Sequence, residues 1–165
     1  MASSVVVMGV SGCGKSSLAS ALAHALDWRY IEGDAHHSEA NLAKMKQGVA
    51  LTDADRDGWL GVLAAELQRP PLPALLTCSA LKRAYRDQLR RHAPQTEFLH
   101  LYGTPEVIGR RQASRPGHFM PASLLQSQFD TLEPLDADEG GLVIDVDQAV
   151  DSIVDDYVSR TGQEN

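Results

Sequence analysis

The stretch Val5-Val6-Val7-Met8-Gly9-Val10-Ser11-Gly12-Cys13-Gly14-Lys15-Ser16-Ser17-Leu18 decides the fold of this 165-residue chain. An apolar, β-branched run ends at a glycine, as a buried parallel strand does. Gly9–Ser16 then matches G-x-x-x-x-G-K-[ST] at every fixed position. From Lys15 the apolar period changes, and Leu18, Ala19, Leu22, Ala23 and Leu26 recur at helical spacing. Strand, glycine-rich turn and helix in that order make a phosphate loop. Its backbone N–H groups and the helix start attract phosphate oxygens. The motif assigns Gly9, Ser11, Gly12, Cys13, Gly14, Lys15, Ser16 and Ser17 to a nucleotide. Lys15 brings charge to the β- and γ-phosphates, and Ser16 offers a hydroxyl to Mg²⁺. Cys13 holds a variable position and reads as a small filler.

Working outward, Trp28–Ile31 reads as a second strand closed by Glu32-Gly33-Asp34. Polar helical segments follow near Glu39–Gln47 and Asp53–Gln68. Ala74–Cys78 is a third strand, Lys82–Arg91 a basic helix, and Phe98–Leu101 a fourth strand. Thr104-Pro105 opens a helix that runs to about Ser114. Leu124–Leu132 is a helix, Leu142–Val146 a fifth strand and Gln148–Tyr157 a last helix. Strands alternating with helices imply an α/β domain whose parallel sheet is covered on both faces. Ligands bind beyond the carboxyl ends of such strands, so Gly9, Asp34, Ser79 and Asp147 are expected on one edge.

The length fits a single domain. A formal net charge of −7 argues against nucleic acid or an anionic membrane as the main partner. The charge is uneven, however. Lys82, Arg83, Arg86, Arg90, Arg91, Arg110, Arg111 and Arg115 form a basic block that either solvates a face or meets an anion. Two cysteines, Cys13 and Cys78, make no disulfide framework and fit a reduced, cytoplasmic setting. No apolar run is long enough for a membrane span, and Met1-Ala-Ser-Ser has no basic start, so no signal peptide is expected.

A phosphate loop serves kinases, switches and motors alike. Asp55-Arg56-Asp57-Gly58 spells the D-x-x-G of a GTPase but follows no apolar strand, and N-K-x-D is missing from the sequence. The third strand ends without a carboxylate. Asp34, after the second strand, is therefore the candidate to accept or orient an acceptor hydroxyl proton and to hold Mg²⁺ through water. Its alternative role is a helix cap.

Met8–Ser16 followed by Gly33-Asp34 and His37 resembles the opening of the bacterial-type gluconokinase family. The likeness continues through Asn41-Leu-Ala-Lys-Met45, Gly48, Leu51, Asp53, Asp55, Arg56 and Trp59-Leu60. Cys78-Ser-Ala-Leu-Lys82 with Tyr85-Arg86-Asp87, then Arg115, Gly117-His118-Phe119, Ser127-Gln128-Phe129 and Leu132-Glu133-Pro134 extend it, and Asp145–Gln148 completes it. Ala50, Gly58, Pro116 and Met120 depart from the family's usual residues.

The resemblance implies a three-layer P-loop kinase fold like that of shikimate and nucleoside-monophosphate kinases. It has a five-stranded parallel sheet, helices on both faces and a mobile lid at about residues 111–123. It also implies ATP-dependent phosphorylation of D-gluconate on its 6-hydroxyl, a helical acceptor segment at about 36–68, and a homodimer. Gluconate is an anionic polyol, so its site needs a cation and hydrogen-bonding groups. Arg56, Lys82, Arg83 and Arg86 are candidates for its carboxylate, Arg56 first. His37 and Gln128 are candidates for its hydroxyls. Arg111 and Arg115 share a helix face and are expected to reach the transferring phosphoryl group, with Lys15 and Asp34 completing the catalytic set. Asp147 and Gln148 are expected beside the adenine. Shikimate kinase, a nucleoside-monophosphate kinase and a non-catalytic nucleotide-binding regulator are the alternatives. The first should show a glycine-rich triplet where Cys78-Ser79-Ala80 stands.

Overall fold

Two consecutive apolar strand residues must point to opposite faces of a sheet, and that alternation builds both cores here. The computed structural model describes residues 3–114 and 122–162. Its central strand β1 (Val5–Met8) is buried throughout. Val5 and Val7 face one core, and Val6 and Met8 face the other. β1 pairs in parallel with β3 (Ala74–Thr77) and β4 (Glu97–Tyr102), matching Val6 with Leu76 and with Phe98. β2 (Arg29–Glu32) and β5 (Leu142–Asp145) form the edges, giving the order β2-β3-β1-β4-β5.

On one face α1 (Lys15–Leu26), α5 (Pro105–Ala113) and α7 (Val150–Thr161) contribute Leu18, Leu22, Ile108 and Ile153 to the first core. On the other, α3 (Asp53–Gln68) and α4 (Arg83–His92) contribute Leu60, Leu63, Leu67 and Leu89 to the second. Two further helices, α2 (Glu39–Lys46) and α6 (Ala122–Thr131), stand at the carboxyl edge. The expected elements all form, and α7 runs on past its expected end at Tyr157. Two 3₁₀ turns, Gly33–His36 and Ala137–Glu139, have no counterpart in the sequence reading.

Local chemistry sets several boundaries. Thr104 accepts a hydrogen bond from the Val107 amide (3.2 Å) and caps α5 ahead of Pro105. Thr52 and Asp55 form a capping box that starts α3. Lys44 then joins Asp55 (2.6 Å), and Asn41 Nδ2 donates to the Asp55 carbonyl (3.2 Å). These contacts fasten α2 to α3, which explains the motif that spans both helices.

The basic helix α4 does not simply solvate a face. Arg86 is fully buried, 0% exposed, and pairs with a Glu139 carboxylate that is itself buried (2.7 and 3.0 Å). Arg86 also donates to the carbonyls of Ala80 (2.8 Å) and Pro134 (3.3 Å). Burial alone would raise the Glu139 carboxyl, but Arg86, the Asp136 amide and Arg90 outweigh it and hold it at about 2. Removing one partner of such a pair strands a buried charge. Arg86→Met is expected to lower unfolding free energy by about 3 kcal/mol, with Arg90 still neutralising Glu139. Urea denaturation checks it, and a loss within error of zero contradicts it.

His100 on β4 is 3% exposed, and burial, aided by the charge of Arg86, pushes it down from 6.5 to about 4. Between those values the unfolded chain binds the proton and the folded chain does not. Stability therefore falls as pH drops from about 6.5 toward about 4, by about 3 kcal/mol in all. Denaturation at stepped pH should show this slope, and His100→Gln should flatten it. The Glu139 contribution is lost only at lower pH, between 4.5 and about 2.

Candidate active site

The carboxyl ends of the parallel strands bring Gly9, Asp34, Ser79 and Asp147 to one edge, just past β1, β2, β3 and β5. The Gly9 amide donates to the Ser79 carbonyl (3.2 Å), joining the phosphate loop to the loop after β3. Gly12 has φ +84°, a left-handed conformation, and any Cβ there would strike the Gln112 side chain. Lys15 Nζ donates to the carbonyls of Gly9 (3.0 Å) and Val10 (3.1 Å), so its ammonium lies over the loop. Cys13 is buried, and burial pushes its thiol up against the pull of Lys15. It is a neutral filler, as its variable position implies.

The carboxylate beside Ser16 is Glu32, which the sequence reading left out. Ser16 donates to Glu32 Oε2 (2.8 Å), Thr77 donates to Oε1 (2.9 Å), and Tyr30 also donates to Oε2. Burial would raise the Glu32 carboxyl, but these three donors and the charge of Lys15 hold it below its ordinary value. Asp34 lies two residues further on, in the 3₁₀ turn, and is exposed. Glu32 is thus the carboxylate in direct contact with Ser16, a residue that was not among the expected site residues. The available signal was an acidic residue ending a strand adjacent to β3, one position before a glycine. That glycine, Gly33, is required because a Cβ would overlap the Thr77 carbonyl oxygen.

A cavity of about 290 Å³ opens beside the loop, lined by Asp34, His37, Arg56, Trp59, Lys82, Tyr85 and Gln128 among others. Trp59 donates to the Gly33 carbonyl (2.9 Å) and stacks on His37 with ring centroids 4.2 Å apart. Burial lowers the His37 pKa, Asp34 opposes that and Arg56 adds to it, so the ring is neutral at pH 7. It can then donate or accept. The Arg56 guanidinium and Lys82 ammonium lie 5.5 and 5.6 Å from the same Tyr85 ring centroid. Two cations therefore converge on one wall, and Asp34, His37 and Gln128 line the same space. Ala80 in this wall has φ 46°, which normally favours glycine, and the Arg86 bond to its carbonyl supports that turn.

Two of the basic residues, Arg86 and Arg83, stand elsewhere than expected. Arg86 is interior and paired, which removes it from the acceptor set. Arg83 is bound to Asp138 and Asp136 (2.8 Å each) and does not line the cavity. Arg111 donates to the carbonyls of Val146 (2.6 Å) and Gln148 (3.3 Å), on the loop after β5. It also lines a second cavity of about 310 Å³ with Gly12, Gly14 and Ser17. Arg111 thus stands beside the phosphate loop, on the side where a nucleotide is expected. Asp147 and Gln148 are held in that loop by Asp145 (2.8 Å each). Arg115, Gly117 and His118 lie outside the described residues.

A phosphate loop at the edge of a five-stranded parallel sheet, flanked by one cavity at its glycines and another lined by Arg56 and Lys82, defines a P-loop kinase. The profile of the AAA domain family matches residues 5–135. The thermoresistant gluconokinase of Escherichia coli (strain K12) is 44% identical over 153 residues, covering 90% of this chain and 87% of that protein. The crystal structure of a gluconokinase from Sinorhizobium meliloti 1021 superposes with a TM-score of 0.87 at 45% identity, over 95% of this chain and 90% of that one. This chain belongs to the gluconokinase family. A shikimate kinase from Acinetobacter baumannii, 17% identical with a TM-score of 0.64 over 98% of this chain and 96% of that one, shares the fold.

Proposed function

We propose that this protein moves the γ-phosphoryl group of ATP to the 6-hydroxyl of D-gluconate, giving 6-phosphogluconate and ADP. The observation that carries the reading is the convergence of Arg56 and Lys82 on Tyr85, in a cavity that also holds Asp34. A carboxylate suits the paired cations. The hydroxyls of a polyol suit neutral His37 and the Gln128 amide. The family's relatives bear the same activity in their names.

In this reading Arg56 and Lys82 hold the gluconate carboxylate, and the sugar chain runs toward the phosphate loop. Asp34 orients the 6-hydroxyl and takes its proton as oxygen attacks the γ-phosphorus and the bond to the β-phosphate oxygen breaks. Lys15 neutralises charge on the transferring group. Ser16 and ionised Glu32, 2.8 Å apart, are hard oxygen donors fit for Mg²⁺, held directly or through water. When bound, Mg²⁺ neutralises β- and γ-phosphate charge. Among the described residues no cluster of three or more His, Cys, Asp or Glu could hold a metal ion. This agrees with a cation that draws its other ligands from nucleotide and water. Arg115 on the lid remains assigned to the transferring phosphoryl group, by the family resemblance.

The proposal includes one kinase domain over residues 1–165, with an acceptor segment at about 36–68 and a lid at about 111–123. It also includes a homodimer and a cytoplasmic setting. Two free, buried thiols support the latter. Among the described residues no helix is long and apolar enough to cross a membrane.

Coupled ADP release should be rapid with gluconate and weak with shikimate or a nucleoside monophosphate; the reverse order would sink the assignment. Asp34→Asn should lower kcat by at least about 100-fold while ATP still binds. Near-normal turnover in that variant would return Asp34 to a capping role. Glu32→Gln should shift the Mg²⁺ dependence of the rate to higher concentration, with the gluconate dissociation constant little changed. An unaltered Mg²⁺ titration would remove Glu32 from the metal site.

A further inference from the structure

One residue of the phosphate loop, Ser11, is held by glutamines through the two peptides on either side of its Cα. The Ser11 amide donates to Gln128 Oε1 of α6 (2.6 Å), and Gln112 Nε2 of α5 donates to the Ser11 carbonyl (3.0 Å). The two helices flank the segment expected to form the lid. The glutamines are not equivalent. Gln128 lines the acceptor cavity, whereas Gln112 packs against Gly12 on the loop itself.

A backbone N–H can only donate, so the carboxamide oxygen of Gln128 must face Ser11. That leaves Nε2, with two donors, for a ligand in the cavity. The same helix is tied to the acceptor wall at its far end. The Glu133 amide donates to the Leu81 carbonyl (2.7 Å), and the Arg83 amide donates to Glu133 Oε1 (2.9 Å). The cavity wall, α6 and the phosphate loop therefore form one hydrogen-bonded chain through Gln128.

We propose that Gln128 couples the two substrates: an acceptor oxygen bonded to its Nε2 strengthens its hold on Ser11, orders the phosphate loop and raises nucleotide affinity. Donating from one end of an amide polarises it and makes the other end a better acceptor. Linkage then requires the nucleotide to raise acceptor affinity by the same factor. Gln128 is a positioning residue in this scheme, acting on the loop from the acceptor side. The scheme rests on the reading of the cavity as the gluconate site.

The test is calorimetric titration of gluconate into the protein with and without a saturating non-hydrolysable ATP analogue and Mg²⁺. Amide hydrogen exchange at Ser11 is measured alongside. The wild type is expected to bind gluconate about 5-fold or more tightly with the analogue present, and gluconate should slow exchange at Ser11. Gln128→Leu should bring the coupling to within about 2-fold of none and abolish the effect of gluconate on exchange. Gln128→Glu keeps an oxygen for Ser11 but loses the donor, so it should retain slow exchange without gluconate and still lose the coupling. Gln112→Leu should weaken nucleotide binding yet keep the coupling. Wild-type protein without coupling, coupling that survives in both Gln128 variants, or equal loss in the Gln112 and Gln128 variants overturns the proposal. Absence of gluconate turnover in the wild type defeats the acceptor reading and this scheme together, whereas normal turnover without coupling defeats the scheme alone.

Discussion

The buried pairing of Arg86 with Glu139 is the constraint on which the acceptor side of this protein depends. Both side chains are removed from water, so the attraction between them is strong and the cost of losing either is high. Their remaining hydrogen-bonding capacity goes to neighbouring backbone and, for Glu139, to Arg90 as well (2.7 Å). Arg86 reaches Ala80 and Pro134, and Glu139 accepts from the Asp136 amide (2.8 Å). A helix, the loop after β3 and the segment that follows α6 thus meet at one ion pair. That meeting fixes the left-handed turn at Ala80 and sets Lys82 and Tyr85 beside Arg56.

A second interior network, smaller and more polar, organises the phosphate side. Glu32 collects hydrogen bonds from Tyr30, Thr77 and Ser16, all aimed at a carboxyl that burial alone would raise and that they hold below its ordinary value. The result is a fixed negative charge beside the phosphate-loop hydroxyl and close enough to Lys15 to be stabilised by it. Positive charge is placed with similar economy. Arg83 and Arg86 neutralise acidic partners, whereas Arg56 and Lys82 line the open cavity. Of the four candidate cations for an anionic acceptor, two thus serve the scaffold and two the site.

Much of this was legible in the chain. The strand-loop-helix at Val5–Leu26 follows from a continuous apolar run meeting a period-three-to-four run across a glycine turn. The parallel sheet follows from alternating elements, and the gathering of Gly9, Asp34, Ser79 and Asp147 follows from strands that all run one way. Arg56, Lys82, His37, Asp34 and Gln128 share a cavity as the family motifs imply. Arg83 and Arg86 stand away from the cavity for a single reason. A basic residue reads the same in sequence whether it faces a ligand, an acidic partner or a carbonyl.

By itself, then, the sequence determined the phosphate loop, the α/β layering, the family and the motif residues that line one cavity. These depend on local periodicity and on short spacings. Only the tertiary structure decided which cations line the cavity, because Glu139 reaches Arg86 across more than fifty positions of chain. It also decided that Glu32 and not Asp34 stands at Ser16, since that contact depends on β2 lying beside β3 and on Gly33 allowing a close approach to Thr77. And it placed Gln128 against Ser11, 117 residues away in sequence. Pairings of that range are set by the packing of the sheet and its helices, and no spacing along the chain records them.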